Sequence, residues 1–336
     1  MTSVPKNTVR KLSLKKHFDE IAPDLLRVDS RIRQQADFFD PNITGYVQYA
    51  TETGGKRIRP ALVFLSARAS GDAKEGHLDL AVIVELIHLA SLIHDDVLDN
   101  AQLRRAVPTM NAKWGTEISV LLGDCLFAHA LKLCTHFDDK SICRDIADAA
   151  NEVCTGEILQ TQRRFDLKLS VPDYMRIIAM KTAALFRVSA ELSARLNGVS
   201  EADRQVYRIY GETLGVAYQI YDDCLDLFGT ESSSGKTLGT DLKKGKLTLP
   251  MLHMLQQLEP QKLEEVSEAI LRGSDSDCLI LKNYVIEMGG LSYSIRKAQE
   301  LLEKSHRMLE NLPDNQHLRI LKAIAQTFID ELESMK

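Results

Sequence analysis

Apolar residues recur every three to four positions along most of this chain, which is the spacing of amphipathic and buried α-helices. No stretch shows the sustained alternation and β-branched enrichment that predict a strand. The pattern predicts helices over 13–38, 59–70, 78–99, 116–137, 141–164, 172–197, 201–228, 250–258, 262–272, 276–288, 291–311 and 314–334. Because most prolines stand near these predicted starts and ends, they support the boundaries. The chain is therefore predicted to be all-α.

Composition excludes several other classes of protein. The 336 residues are 44% apolar, with a net charge of −5, so no basic excess is present to neutralise a nucleic-acid backbone. No uninterrupted apolar run reaches the roughly 18 residues that span a bilayer, and we expect no transmembrane segment. The six cysteines form no CxxC pair, which indicates reduced thiols in a cytoplasmic protein. Without a linker or a change of composition, we expect one domain over 1–336, including an N-terminal helical region over 1–40.

Two copies of one acidic pattern carry the chemistry. Residues 95–99 and 222–226 both have the form D-D-x-x-D, and both follow a strongly apolar helical run. On a helix, positions i and i+4 lie roughly 40° apart, so the outer aspartates of each motif share a face. Three carboxylates packed this closely repel one another unless a cation neutralises them, and all-oxygen sets suit Mg²⁺. A lone motif would be interpreted as a solvated helix end, but its repetition favours two metal-binding clusters that hold a diphosphate.

Basic residues accompany both motifs. Gly54 to Pro60 (GGKRIRP) places three cations behind two glycines at a predicted helix start, where backbone N–H groups favour anions. Arg104 and Arg105 follow the first motif, and Lys181 lies inside an apolar helix, where an unpaired lysine would be costly. Gln219 precedes the second motif by three residues and shares its face. His88, seven residues before Asp95, falls on the Asp95 face of the helix and is either a ligand or an ordinary core histidine.

One segment, 230–246, breaks the helical pattern, with three glycines among four lysines. A surface loop would have the same composition. Because the segment directly follows the second acidic motif, we favour a mobile loop that covers phosphate groups and excludes water from the reaction.

These motifs together resemble the trans-isoprenyl (polyprenyl) diphosphate synthases in order and spacing. The resemblance is carried by GGKRIRP, LIHDDVLDNAQLRR, KT, YQIYDDCLDLFG and GTDLKKGKLTLP, and it runs from about residue 44 to beyond 300. It implies an isoprenoid-synthase-type helical bundle around a deep central cavity, usually a homodimer. It also implies head-to-tail transfer of a prenyl group from an allylic diphosphate to isopentenyl diphosphate, with about three Mg²⁺ ions in each active site.

The resemblance also implies roles for individual residues. The metal ligands would be Asp95, Asp96, Asp99, Asp222, Asp223 and Asp226. The allylic diphosphate would be held by Arg104, Lys181, Gln219, Lys236 and Lys246, and isopentenyl diphosphate by Lys56, Arg59, His88 and Arg105. Thr182 would lie beside the reacting carbons. Catalysis would depend most on Asp95, Asp99, Arg104, Lys181, Asp222 and Lys246. Ala106 departs from the glycine common in the family, a change that matters only if its φ is positive.

The residues before the first motif predict the product length. The positions four and five residues before Asp95 are Ser91 and Ala90, with Ile87 one turn further back, and no Phe, Tyr or Trp lies between Leu78 and Asp95. A tunnel open for two turns, roughly 11 Å, would favour a medium- or long-chain product such as a quinone side-chain precursor, with Phe127 as a candidate floor.

Three alternatives remain open at this point. A short-chain synthase making farnesyl or geranylgeranyl diphosphate would have its floor elsewhere. A partner subunit of a heteromeric synthase would act through its interface. A class I terpene cyclase also uses a DDxxD motif, but cyclases line their pockets with aromatic residues to steady cations, and this chain is only 6% aromatic.

Overall fold

A computed structural model describes residues 14–52, 54–229 and 239–335 of the chain. The predicted all-α class is confirmed. The first half contains the helices α1 (Lys15–Phe18), α2 (Ala22–Gln34), α3 (Thr44–Glu52), α4 (Ile58–Ser70), α5 (Glu75–Leu98), α6 (Met110–Cys134) and α7 (Lys140–Gln162), with 3₁₀ turns at Asp19–Ile21 and Gln35–Phe38. The second half contains α8 (Val171–Ile178), α9 (Ala184–Leu196), α10 (Glu201–Phe228), α11 (Thr240–Lys243), α12 (Leu249–Leu255), α13 (Pro260–Arg272), α14 (Asp275–Glu287), α15 (Gly290–Leu309) and α16 (Gln316–Glu333).

Side-chain caps begin several of these helices. The hydroxyls of Thr109 and Ser170 accept N–H groups of the first turns of α6 and α8, and Ser200 does the same for α10. Such caps satisfy donors that the helix cannot pair itself. Pro172 stands in the first turn of α8, where its missing N–H costs nothing.

The bundle centres on α4, α5, α9 and α10. Helix α5 packs on α6 and α4, and α9 packs on α10 and α4, while α15 and α16 cover the outer side of α10 and α4. Helix α5 is long and apolar enough to cross a membrane by length and composition, but 67% of its most apolar window is buried inside the protein. It is therefore the core helix of the bundle, and its buried residues bring the first acidic motif to the centre.

Two local structures depart from the predicted helices. Leu103–Arg104 and Val107–Pro108 form a short antiparallel ribbon, β1 and β2, directly after the first acidic motif. Ala179–Ala183 form a single π turn that joins α8 to α9 within the segment predicted as one helix. Both interruptions carry residues of the candidate site, and π turns are frequent at functional sites.

The cysteine prediction is consistent with the structure. All six cysteines lie within the described residues, and each is a free thiol. Burial raises the pKa of Cys134 to about 12, so this thiol stays protonated at neutral pH.

Candidate active site

One cavity of about 1270 Å³ brings the predicted site residues together. All six aspartates of the two motifs line it, as do the cationic residues Lys56, Arg59, Arg104, Arg105, Lys181 and Lys246. His88, Ser91, Phe127, Thr182 and Gln219 also lie on its wall. Two motifs far apart in the sequence therefore face one space, which is what binding of a single polyanion requires.

The first motif ends α5 and is surrounded by cations. Burial raises the pKa of Asp95 to about 6, although Lys181 acts in the opposite direction. Burial also opposes ionisation of Asp99, but Lys246 and Lys244 together lower the pKa of that carboxyl. Their ammonium nitrogens lie 3.4 and 3.2 Å from its Oδ2 atom. Asp99 is thus ionised, whereas the cations near Asp95 do not fully offset the cost of burying its charge.

Asp96 is held by the ribbon that follows its helix. The Nε atom of Arg104 donates to both carboxylate oxygens at 3.0 Å, and Nη2 donates to Oδ1 at 2.8 Å. This side-on ion pair ties β1 back to α5. The two turn residues, Arg105 and Ala106, have φ values of 54° and 64°. A two-residue hairpin turn with both φ values positive is of type I′, which glycine and asparagine normally fill.

The second motif lies near the end of α10 in a buried hydrogen-bond network. Asp223 accepts hydrogen bonds from the Tyr174 hydroxyl at 2.6 Å and from Gln219 Nε2 at 2.7 Å. Thr182 in turn donates to Gln219 Oε1 at 2.6 Å. Burial and the charge of Asp241 raise the pKa of Asp223 to about 8 and that of Asp226 to about 6. Desolvated carboxylates of this kind are stabilised when a cation joins them.

The donor set fits magnesium. Among the described residues, no three His, Cys, Asp or Glu side chains converge closely enough to hold a metal by themselves. Mg²⁺ commonly takes only one or two carboxylates and completes its shell with water and substrate phosphates. The raised pKa values of Asp95 and Asp226 identify carboxylates that need added positive charge. The site therefore suits a cation that arrives with a diphosphate.

The π turn places Lys181 in the cavity wall. Its ammonium group contacts Glu157 at 2.6 Å and donates to Gln160 Oε1 at 2.7 Å. Burial would lower the pKa of Lys181, but Asp95 and Glu157 raise it, so the side chain is cationic. Gly156 allows this approach, because a Cβ atom there would lie 2.5 Å from the backbone nitrogen of Lys181.

A second basic group stands at the start of α4. Arg57, with a left-handed φ of 49°, pairs with Glu85 at 2.6 Å and Asp29 at 2.7 Å and thereby fixes the helix start. Arg59 is buried over the ring of Phe186, and within the described part of the chain its Nε atom has no hydrogen-bond partner. A buried guanidinium with an unused donor suits an anionic ligand.

His88 lies in the cavity wall as a neutral imidazole. Burial and the nearby guanidinium of Arg59 hold its pKa well below the ordinary value. A neutral ring can still donate one hydrogen bond to an anion. The Lys56 ammonium lies exposed above the ring of Tyr218, 5.8 Å from its centroid.

The chain-length residues divide into two pairs. Ser91 lines the cavity and donates to the His88 carbonyl at 2.8 Å, and Phe127 lines it beside the ring of His94. Ala90 and Ile87 are fully buried in the core and do not line the cavity. The predicted role of that second pair therefore finds no support in the shape of the cavity.

Part of the predicted phosphate-covering loop lies outside the described residues. This part is 230–238, and it includes Lys236. Residues 239–246 are described: the Gly239 N–H donates to the Asp226 carbonyl at 3.0 Å, and the Asp241 N–H donates to Asp226 Oδ2 at 3.1 Å. The later half of the loop is thus attached directly to the second acidic motif.

Several cavity residues escaped the sequence prediction. Glu85, Glu157, Gln160, Tyr218, Asp241 and Lys244 all line the same space. Asp241 and Lys244 stand within the segment already singled out, where they could have been chosen. Glu157 and Gln160 lie on α7, and only their contact with Lys181 across the bundle reveals their role. Fold and site together define a helical bundle whose cavity carries two acidic clusters and two groups of cations.

The comparisons with known proteins identify the family. The sequence matches the profile of the polyprenyl synthetase family over residues 40–288. It is 35% identical to octaprenyl diphosphate synthase of Haemophilus influenzae over 309 residues, 92% of this chain and 94% of the relative. It is 33% identical to heptaprenyl diphosphate synthase component 2 of Geobacillus stearothermophilus, covering 94% of this chain and 98% of the relative.

A solved structure agrees. Polyprenyl synthase from Caulobacter crescentus, complexed with calcium and isoprenyl diphosphate, superposes with a TM-score of 0.87 at 33% identity, over 94% of this chain and 97% of that one. The chain belongs to the polyprenyl synthetase family. Its relatives that are named octaprenyl diphosphate synthase are prenyltransferases, and this protein is an enzyme of the same class. This match favours a synthase over the terpene cyclase considered above.

Proposed function

We propose that this protein condenses isopentenyl diphosphate head-to-tail onto an allylic diphosphate, with Mg²⁺, to make a medium- or long-chain all-trans polyprenyl diphosphate. The observation that carries the proposal is the joint presence of both acidic motifs and two separate groups of cations on one cavity. One group of cations surrounds the acidic motifs, and the other lies at the start of α4. Each group can hold one anion, so the site can bind two. The Caulobacter crescentus structure, which is complexed with calcium and isoprenyl diphosphate, supports the choice of ligand.

The residues divide by task in this proposal. Asp95, Asp99 and Asp222 are proposed as the main metal ligands, with Asp96, Asp223 and Asp226 beside them in the same two motifs. When bound, Mg²⁺ neutralises charge that develops on the departing diphosphate. Lys181 and Lys246 hold that same diphosphate by fixed positive charge and need no reorganisation during the reaction.

The second anion occupies the basic group at α4. Lys56, Arg59, Arg105 and neutral His88 orient isopentenyl diphosphate, so that its double bond faces the allylic carbon. Thr182, buried and hydrogen-bonded to Gln219, lies in the cavity wall and is proposed to lie beside the reacting carbons. No described side chain of the cavity is an evident general base, and an oxygen of the released diphosphate is the proposed proton acceptor.

The proposed product length rests on Ser91 and on the relatives. Ser91 leaves the cavity wall unobstructed one turn before Asp95, where an aromatic residue would stop a growing tail. The Haemophilus influenzae and Geobacillus stearothermophilus relatives carry the names octaprenyl and heptaprenyl diphosphate synthase. A geranylgeranyl or farnesyl product is the alternative, and product analysis distinguishes them.

We also propose a homodimer, formed through α6 and α7. Leu121 on α6 and Ile158 on α7 are exposed by 60% and 58%. Ile158 lines the active-site cavity as well, as does the exposed Cys154. The cavity wall is therefore open along these helices in a single chain, and a second copy would close it. The name "component 2" of the Geobacillus stearothermophilus relative makes a heteromer the alternative.

A single catalytic domain over 1–336 and a cytoplasmic location complete the proposal. Both rest on the uniform composition of the chain and on the burial of α5, its one helix that could otherwise cross a membrane among the described residues.

The central test replaces Asp95 or Asp222 with asparagine, which keeps the side-chain volume and removes the charge. Turnover of labelled isopentenyl diphosphate with farnesyl diphosphate should fall by about a thousandfold or more, because a metal site that loses a ligand loses most of its charge stabilisation. EDTA should abolish turnover of the parent. Asp138→Asn, at an exposed carboxylate between α6 and α7, serves as the control. Near-normal turnover in either site variant, or with EDTA, would refute the metal-dependent reaction.

A further inference from the structure

The loop that follows α7 makes an unusual contact with the turn that carries Lys246. Its residues Arg164 and Phe165 are here called the elbow. Phe165 has a φ of 60°, a conformation that L-residues with a side chain adopt only at a cost. Its N–H donates to the carbonyl oxygen of Gly245 at 2.8 Å. Strain of this kind persists where surrounding contacts hold the backbone in place. Here the contact that holds Phe165 is made with the turn that carries Lys246.

Gly245 is fitted to the aromatic ring. Its own φ is 71°, and a Cβ atom there would lie 2.5 Å from ring atoms of Phe165. Any other residue at 245 would therefore meet both backbone strain and the ring. The Gly245 N–H donates to the Leu242 carbonyl at 2.9 Å, which closes a turn over 242–245 that contains Lys244 and leads directly to Lys246. The position of the ring thus determines where this turn lies.

Arg164 brings a third cation to the same carboxylate. Its Nη2 atom lies 3.5 Å from Asp99 Oδ1, on the side opposite to the oxygen that Lys244 and Lys246 contact. The Nε atom of Arg164 is buried and has no hydrogen-bond partner among the residues that the structure describes. Lys246 also lies 3.6 Å from Asp241 Oδ1, so three cations supplied by two chain segments meet two carboxylates. The excess positive charge and the unused donor match a polyanion bound beside Asp99.

We propose that the elbow is a positioning element for the allylic diphosphate. Phe165 seats the Gly245 turn and so fixes the two lysines, and Arg164 adds a guanidinium to the same anion site. The inference rests on the proposed function and assigns a task to a loop outside the two acidic motifs. The elbow should affect binding of the allylic diphosphate and not of isopentenyl diphosphate, because Arg164 contacts Asp99 and not the basic group at α4.

The first test compares Arg164→Met with Arg163→Met. The neighbouring Arg163 pairs with Asp166 at 2.6 Å and serves as the matched control. Arg164→Met should raise KM for the allylic diphosphate about tenfold and leave KM for isopentenyl diphosphate within about twofold, as expected for loss of one charge-assisted contact. Arg164→Lys should recover part of the loss. An equal change in both KM values, or the same effect from Arg163→Met, would refute the role of Arg164.

The second test measures binding directly by calorimetry with inorganic pyrophosphate and Mg²⁺. Phe165→Ala and Gly245→Ala should each weaken binding about tenfold. The double variant should also bind about tenfold more weakly, and not a hundredfold, because both changes disrupt the same contact between Phe165 and Gly245. Thermal melting confirms that each variant is folded, and Phe165→Ala alone decides the matter if Gly245→Ala fails to fold. Parent-like binding by Phe165→Ala would overturn the inference.

The two proposals fail in different ways. A parent enzyme that neither binds pyrophosphate nor condenses isopentenyl diphosphate would refute the proposed function. If the parent binds pyrophosphate and condenses isopentenyl diphosphate, and the elbow variants do so equally well, only the positioning role would be refuted.

Discussion

Ala106 shows how one residue can store strain beside an ion pair. It occupies the second central position of the turn between β1 and β2, with a φ of 64°, where glycine would be unstrained. The strain is held by the neighbouring pairing of Arg104 with Asp96. The sequence identified Ala106 as a departure from the family pattern, but only the backbone shows that the departure falls at positive φ.

Replacing Ala106 with glycine should stabilise the protein. The free energy of unfolding should rise by about 1 kcal/mol, because glycine adopts positive φ without steric cost. Thermal melting measures the change. The same substitution at Ala112, an exposed position of α6, should lower stability by about as much, since glycine is unfavourable inside a helix. Equal effects of the two changes would show that the turn is unstrained.

The two basic groups should separate by substrate. Lys56→Ala removes a cation of the α4 group and should raise KM mainly for isopentenyl diphosphate. Lys181→Gln keeps a donor for Glu157 but removes the charge near Asp95, so it should raise KM mainly for the allylic diphosphate, in both cases by about tenfold. Lys132→Ala, at an exposed position of α6, should change neither. If each site variant changed the KM values of both substrates equally, the assignment of the two basic groups to separate substrates would be wrong.

Single residues were predictable from the sequence where they formed a pattern. The aspartates and the arginine pair stand at fixed spacings, and the structure brings them to one cavity. Glu157 and Gln160 were missed because a polar residue on an amphipathic helix usually faces solvent. Their function depends on Lys181, which is distant along the chain and adjacent only after folding.

At the scale of elements, periodicity located most helices and missed four features. The ribbon has two residues in each strand, too few for alternation to be visible. The π turn keeps apolar residues on the core side while adding a residue, so its pattern resembles that of a continuous helix. The first predicted helix, 13–38, is divided by 3₁₀ turns, and the short α3 was not predicted.

The face of α5 that carries Ser91 should control product length. Ser91→Phe places a rigid ring in the cavity wall one turn before Asp95, and a packed wall cannot easily move aside. Products should shift toward farnesyl or geranylgeranyl diphosphate while condensation continues. Glu303→Phe, at an exposed position of α15, is the control. Chain-length chromatography of labelled products measures the shift, and an unchanged product distribution would mean that the tunnel follows another face.

At the scale of the whole molecule, exposed apolar side chains occur on more than one surface. Leu279 and Ile286 on α14 are exposed by 62% and 53%, comparable to Leu121 and Ile158. Exposure alone therefore does not choose an interface. The cavity distinguishes the two surfaces, because Ile158 belongs to its wall and the α14 pair does not.

A double variant tests this choice. Leu121→Glu with Ile158→Glu should convert a dimer into a monomer, since two buried charges at an interface are costly. Light scattering after size-exclusion chromatography measures the mass. Leu279→Glu with Ile286→Glu adds the same charges on α14 and should leave the dimer intact. A monomeric parent, or dissociation by the α14 pair alone, would contradict the proposed interface.

The π turn at Ala179–Ala183 also affects which changes in chain length the protein can tolerate. Removing one residue there would restore a regular α-helix, but it would rotate everything before the deletion by roughly 100° relative to everything after it. Either Lys181 would leave Glu157 and Gln160, or the buried face of α9 would turn away from α10. Substitutions in this helix change one contact each, whereas a one-residue deletion would force a choice between the active site and the core. The length of this segment is therefore under tighter constraint than its sequence.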